Sequence, residues 1–544
     1  MEGETEYAFK HLLVRDVAYG QVPRAERAQK HQRTAEWIES LGRPEDHAEM
    51  VAHHYVNALE LARAAGQDVS GIAGRVRVAL REAGDRALAL NALPQAEKYF
   101  REALALAQGD DADYPDLLFR LGRALYLRHE EGQEELAEAR DRLLARGDRE
   151  AAAEAALMVA DVFWKQGRSA DTVACLEDAQ VLVADAPPSR IQVSVLSEVA
   201  RYQMLADENE AAIETGTAAL RLAAELGFDD LRAHALNNVG SAHSALGDRT
   251  GLEEIEESIA VATRVNAISD VLRGHNNLST MRLVFGELDL AQAGAQETRR
   301  LAEHFGHYGF VRFIDGGAGV GIPYHMGRWD DALENAERFL ASVEQGSPHY
   351  QTPAAYCFRG LIRLGRGDPE GAVADADRAV EVVESFRDPQ IVQPTLGMAA
   401  HIFHAVGEER RAAEVAADAI ERLRGMSQLA FAGVELHYLT WVASALGRGS
   451  EVSEFAERDP VDSAWLRAVR ALAAGDLRGA AQVYDEIGAL SAAGFYHLRA
   501  AQQLVAEGRR AEADEQLRPA LAFYRGVGAA RYVREGEALH AVSA

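Results

Sequence analysis

Three histidines make the chain's nearest approach to a metal site. His401 and His404 stand at i and i+3, a spacing that lets two imidazoles on one helix face share an ion, with His437 as a third ligand. No acid or cysteine stands in register to complete the set, and Cys175 and Cys357 form no CxxC or Cys/His cluster, so no metal is expected. DGGAGVGIP, Asp315 to Pro323, has the outward form of GxGxxG, but that motif needs a strand before it and a helix opening after it in a βαβ unit. Neither is present. There is no GxxxxGK[ST] phosphate loop, nucleophile elbow or HExxH, and HAEMVAHH has the wrong spacing for a zincin, so no active site and no cofactor are expected. What remains is recognition chemistry. Asn237 and Asn276, in HALNNVG and HNNLS, carry amides that both donate and accept, as holding an extended peptide backbone requires. The bland alternative is that Asn237, Asn238, Asn276 and Asn277 cap or bridge neighbouring helices.

The elements that position these residues repeat. A short hinge, usually Gly followed by Asp, Arg or Glu, recurs with an Ala five residues on, as in GELDLAQAGAQET from Gly286, GRWDDALENAERF from Gly327 and GDPEGAVADADRAV from Gly367. Further instances start at Gly407, Gly475 and Gly508, with earlier landmarks at Asn91, His129, Gly167, Asp207 and Gly247 and a degenerate one at Gly447. From Gly167 to Gly447 the landmarks are 40, 40, 39, 41, 40, 40 and 40 residues apart, while the steps at either end are irregular, as capping units require. Each unit reads as two apolar-periodic helices about a glycine turn. The Ala five residues past the turn, as at Ala372, Ala412 and Ala480, is read as packing where the two helices cross. The four glycines and the proline of 315–323 suggest a close helix crossing or a break, and a hinge dividing the array near residue 320 with faster amide exchange than its flanks.

Composition agrees. Charged residues make up 26%, and 14 prolines in 544 residues favour helices over a large sheet. The net charge of −28 opposes non-specific nucleic-acid binding, which draws most of its affinity from Lys and Arg. The acidic start MEGETEYAFK has neither a basic region nor an apolar stretch, and the two lone cysteines fit a reducing compartment, so a cytoplasmic location without membrane insertion is expected.

The pattern over roughly residues 75–530 resembles tetratricopeptide repeats. The likeness implies an all-α, right-handed superhelical solenoid of about twelve helical hairpins, with the first helix of each hairpin lining a concave groove. Counting back from each turn then places Arg201, His234, Asn237, Arg273, Asn276, Tyr324, His401, His404, His437, Trp441 and Trp465 towards that groove. Trp441 beside His437 would make an amphipathic anchor, with packing between hairpins as the alternative.

Residues 6–59 depart from the repeat. The run EYAFKHLLVRDVAYGQVPRAERAQKHQRTAEWIESLG and then HAEMVAHHYVNALELA resembles the segment joining a winged-helix module to the repeats in STAND-type signalling ATPases of actinobacteria. That group includes ATPases associated with class III nucleotide cyclases and maltose-activator-like regulators of the LuxR family. Phe9, His11, Leu12, Arg15, Asp16, Val17, Ala18, Tyr19, His31, Trp37, Ala52, His53 and His54 carry the likeness, and the C-terminal run from FYHLRAAQQL to EGEALH is similar to the closing repeat of the same proteins. Read on its own residues, the head is a short strand, Tyr7–Phe9, followed by helices, one of them opening at Arg24 after Pro23. The expected organisation is a winged-helix-like remnant with linking helices over 1–60, a first part of the array over 61–320, and a second part over 321–544 with a degenerate unit near 450–465 and a C-terminal cap.

What the resemblance implies is the sensor arm of such a regulator, either detached from its ATPase or standing alone. The expected function is a non-enzymatic interaction and sensor module that takes a protein or peptide in its groove. One alternative is the sugar- or metabolite-sensing arm of a transcription activator; another is a structural scaffold. No direct contact with nucleic acid or membrane is expected.

Overall fold

The computed structural model describes residues 11–541 except 43, 130, 167, 387, 427, 428 and 460. Tyr7–Phe9 and the landmark Gly167 lie outside the described residues. All regular structure among the described residues is helical. No helix there is long and apolar enough to cross a membrane.

The chain divides into two compact units, Met1–Gly147 and Asp148–Ala544. The first holds α1 (Leu12–Gln21), α2 (Arg24–Ser40), α3 (Pro44–Ala64), α4 (Ser70–Ala89), α5 (Leu93–Leu104), α6 (Tyr114–His129) and α7 (Gln133–Ala145). As expected, α2 opens directly after Pro23, and it packs on α3 through Ala35 and Ile38 against Ala48, Val51 and Tyr55. The second begins with α8 (Arg149–Lys165), α9 (Ser169–Val183), α10 (Arg190–Leu205), α11 (Asn209–Leu226), α12 (Asp229–Ala245), α13 (Thr250–Arg264), α14 (Ile268–Val284) and α15 (Leu288–Phe305). It continues with α16 (Tyr308–Gly316), α17 (Ala318–His325), α18 (Trp329–Glu344), α19 (Thr352–Arg366), α20 (Pro369–Val383), α21 (Pro389–Ala405) and α22 (Glu409–Leu423). The last helices are α23 (Leu436–Ala445), α24 (Gly449–Arg458), α25 (Ala464–Ala473), α26 (Leu477–Glu486), α27 (Leu490–Ala506), α28 (Arg510–Gly526) and α29 (Ala530–Ala541). In the first unit α4 to α7 pair into two hairpins; in the second α8 to α28 pair into ten, with α16 and α17 together forming one arm and α29 packing after α28.

The turn chemistry explains the repeat. Gly247, Gly286, Gly327, Gly367, Gly407, Gly447, Gly475 and Gly508 all have positive φ, and Asn91 and Asp207 do the same work in the earlier units. One landmark is corrected: α6 runs through His129, and the left-handed residue of that turn is Gly132, φ 95°. Five residues past the turns, Ala96, Ala212, Ala291, Ala332, Ala372, Ala412 and Ala480 are fully buried. The alanines are therefore packing residues, because any added side-chain volume there would separate the paired helices. The Gly247 and Gly447 units depart from this rule with Leu252 and Val452 in the alanine position, and the Gly447 unit has two ten-residue helices.

Within the second unit the row of hairpins returns on itself. The indole N–H of Trp465 donates to the carbonyl of Leu283, 182 residues earlier, at 2.7 Å, and that of Trp329 donates to Ser491 Oγ at 2.8 Å. Helix α27 meets α17, and α29 meets α19. At the turn of Gly327, whose φ of 76° already favours glycine, a Cβ would lie 2.7 Å from the ring of Phe523. One hydrophobic core consequently runs from Ala245 to Tyr532.

The glycine-rich segment is a kink packed without slack. Gly317, φ −106° and ψ −99°, separates α16 from α17, and a Cβ on Gly316 would stand 2.5 Å from the Phe339 ring. Pro323 has no N–H to offer the carbonyl of Gly319 four residues back. Asn335 supplies the missing donor, its Nδ2 lying 2.7 Å from Gly319 O. Gly316→Ala is therefore expected to lower stability by about 1–3 kcal/mol through overpacking; urea denaturation checks this, and an unchanged midpoint would show that the crossing has room.

Candidate functional site

A band of polar side chains crosses the facing first helices α8, α10, α12 and α14. On α10, Arg201 forms ion pairs with Asp161 of α8 and, at 3.3 Å, with Glu198 one turn away. Lys165 reaches Asp161 at 3.2 Å. His234 of α12 places Nε2 3.0 Å from Glu198 Oε1 and Nδ1 2.6 Å from Ser197 Oγ. Arg273 of α14 donates to Asn238 Oδ1 at 2.7 Å and faces Asp270 at 3.6 Å. The side chains of Glu198, Arg201, His234, Asp270 and Arg273 retain only 11–20% of their surface, so the charges act on one another in a weakly screened space. Burial would raise the Glu198 carboxyl, but the charges of His234 and Arg201 outweigh it and hold the group at about 2. Burial raises Asp270, and burial with the charge of Arg201 lowers Arg273.

Three of the four asparagines, Asn237 among them, bridge neighbouring helices, and Asn237 does not face an open groove. Asn238 bridges helices by donating to Ser197 O at 2.7 Å, and Asn277 donates to Asn237 Oδ1 at 3.0 Å and to Ser241 Oγ at 3.3 Å. Asn237 is fully buried, with its Nδ2 unpartnered. Asn276 keeps some exposure and donates to Asn277 at 3.2 Å.

Four of the other expected groove residues do not face open space. Tyr324, His401 and His437 are buried, and so is Trp465, because the C-terminal hairpins fill the face those side chains point to. Tyr324 shares a hydrogen bond of 2.9 Å with Tyr438, His437 meets Tyr496 at 3.2 Å, and His401 lies between the rings of Tyr438 and Phe495. Trp441 is half-buried against Phe495, and His404 pairs with Glu409 at 3.0 Å. Among the described residues no group of three or more His, Cys, Asp or Glu is placed to hold a metal ion.

An aromatic link leads from the band into a cavity of about 190 Å³. Arg201 lies over the Trp164 ring at 5.1 Å, Trp164 stacks on Tyr350 at 4.5 Å, and Tyr350 lines the cavity. His325 and Glu435 also line it, joined through Nε2 and Oε1 at 2.9 Å. Glu198, Asp161, Lys165, Asp270, His325 and Glu435 escaped the sequence reading. Asp161 stands 40 residues before Arg201, and Glu198 40 before Asn238, so the period itself was a signal for the first two.

Behind Tyr350, Asp388 caps α21 and accepts from Tyr350 OH at 2.7 Å, from Gln390 N at 2.9 Å and from Trp164 Nε1 at 3.4 Å. Burial outweighs these donors and raises its carboxyl from 3.8 to about 6. A raised acid contributes stability that is full below the unfolded value of 3.8 and lost as pH climbs through 6, here on the order of 3 kcal/mol at about 1.4 kcal/mol per unit. Asp388→Asn should therefore gain on the wild type between pH 4 and 6.5 in denaturant titrations; a constant difference across that range would contradict the assignment.

These features define an all-α protein of tetratricopeptide-type helical hairpins with a polar band and a partly open cavity in its second unit. No family model matches the chain, and no curated protein does. Solved structures do. A Rap protein complexed with competence and sporulation factor is 12% identical over 74% of this chain and 99% of its own, with a TM-score of 0.40. A STAND protein with a tetratricopeptide repeat sensor from Pyrococcus horikoshii is 14% identical over 69% of this chain, with a TM-score of 0.36, and the match spans 55% of that protein's length. The Cut9–Hcn1 tetramer of the APC/C is 13% identical over 85% of this chain and 88% of its own, with a TM-score of 0.45.

Proposed function

We propose that this chain is a non-enzymatic sensor and interaction module of a bacterial signalling or transcription-regulatory ATPase, and that it takes a protein or peptide segment along the band of α8, α10, α12 and α14. The observation that carries this reading is the band itself: four successive first helices hold Lys165, Glu198, Arg201, His234, Arg273 and Asn276 side by side with their heads fixed by neighbours. Such pre-organisation lowers the ordering cost of binding, and helices 8–10 Å apart match about three residues of extended peptide per step.

The test is selection of peptides from a random library on the full chain, followed by Asn276→Ala. Selected peptides should bind the variant about tenfold more weakly, equivalent to about 1.4 kcal/mol, with its thermal midpoint unchanged. Equal affinity for the variant would remove the band as the site. A thermal shift with sugars or metabolites and no peptide selected would favour the small-ligand alternative instead.

A further inference from the structure

The cavity that Tyr350 lines has apolar walls from Leu283, Ile322, Phe358, Ile391, Met398 and Phe431. Gly317, Ala318, Gly321 and Ala354 also line it and bring nothing larger than a methyl group, so the middle stays unfilled. Its hydroxyls have already given their protons to the protein: Ser279 Oγ donates to Ala291 O at 2.6 Å, Thr280 Oγ1 to Asn276 O at 3.0 Å, and Tyr350 OH to Asp388 at 2.7 Å. His325 and Glu435 spend Nε2 and Oε1 on each other, and their other polar atoms, Nδ1 and Oε2, are closed to water and do not reach the space. Gln351 and Gln390, the remaining polar side chains of the lining, are partly exposed and draw their partners from water. Protein interiors hold few voids larger than a water molecule, and a cavity of about 150 Å³ lined by Leu, Ile and Phe stays dry and takes up benzene. Here the volume is about 190 Å³ and the cavity is partly open, so a guest of that kind has a way in.

We propose that this cavity is a receptor site for a small neutral apolar molecule, the size of an aromatic ring with a short alkyl group. Water inside such walls gains few hydrogen bonds, and its displacement by an apolar group is favourable. A hydroxyl on the guest would leave water without a fixed partner, and a charged group would lose more hydration still. Phe358 and Phe431 offer rings for offset or edge-on contact, and the unbranched thioether of Met398 adapts to the guest's outline. None of the band's residues lines this cavity, so the site does not depend on how the band is read.

The probes are ethylbenzene, benzyl alcohol and benzylamine, matched in heavy atoms and titrated into the full chain while isotope-labelled methionine methyl resonances are followed. Met398→Leu, which nearly conserves volume, assigns the Met398 signal. Ethylbenzene should bind at least about tenfold more tightly than benzyl alcohol, benzylamine should not bind, and ethylbenzene should move the Met398 methyl. Ala354→Leu, checked for folding by its thermal midpoint, fills the space from its wall and should weaken ethylbenzene by at least about tenfold. Should Ala354→Leu not fold, the ethylbenzene-to-alcohol ratio and the Met398 shift in the wild type decide the matter. No binding of ethylbenzene, an alcohol affinity within about tenfold of it, binding of benzylamine, an unmoved Met398 methyl, or undiminished binding in folded Ala354→Leu would overturn the proposal. None of these outcomes bears on peptide selection at the band, so the two readings fail separately.

Discussion

Trp465→Ala is expected to lower the unfolding free energy by about 3–5 kcal/mol, the range for truncating a fully enclosed indole. The side chain is 1% exposed and packs against the rings of His325 at 5.2 Å and Tyr484 at 6.0 Å. Alanine would leave a cavity there and strip the Leu283 carbonyl of its 2.7 Å donor, so packing and hydrogen-bond losses add. The matching control is Trp37, 45% exposed, whose replacement by Ala should stay within about 0.5 kcal/mol. Urea denaturation of both variants separates the two cases. A loss under 1 kcal/mol at Trp465 would mean that α25 does not seat against the end of α14.

His401→Phe is expected to protect the protein against acid. The imidazole is 2% exposed, and burial, with the charge of Arg499 next, lowers its pKa from 6.5 to about 3. A base lowered in this way contributes stability that is present above the unfolded value of 6.5 and lost as pH falls towards 3, because the unfolded chain takes up the proton first. At about 1.4 kcal/mol per unit the loss is on the order of 5 kcal/mol across that window. Phenylalanine keeps the ring between Tyr438 and Phe495 and removes an unpartnered Nδ1. The difference in unfolding free energy between variant and wild type should therefore grow in the variant's favour from pH 7 to pH 4. A difference that stayed flat over that range would show that this histidine titrates normally.

The hairpins were legible because their determinants are local. A left-handed turn residue and a small residue five positions on recur every 40 residues, and each needs only its own hairpin for its effect. The single slip, His129 for Gly132, came from holding the period where the turn had moved by three residues. The band was half legible: Arg201, His234, Arg273 and Asn276 were placed on one face, but their acidic partners were passed over although Asp161 and Glu198 keep the same 40-residue register. The return of the second unit on itself was not legible. Periodicity encodes how each hairpin meets the next, whereas Trp465 to Leu283, Tyr324 to Tyr438 and His325 to Glu435 are contacts over more than 100 residues that no repeat records. Side chains assigned to an open groove, such as His401 and His437, are for that reason buried.

That return decides what the second unit can bind, and one distance measures it. Gly247 packs on Val461, where a Cβ would lie 3.4 Å from the Val461 Cα, and the adjoining Asp248 and Asp462 are exposed. Cys175 and Cys357 are both buried, so spin labels can be attached to cysteines introduced at Asp248 and Asp462. Dipolar electron resonance should give a single distance below about 25 Å if the hairpins close on themselves. An open row of five hairpins with helices 8–10 Å apart would separate the labels by about 40 Å or more, and a distance in that range would contradict the account.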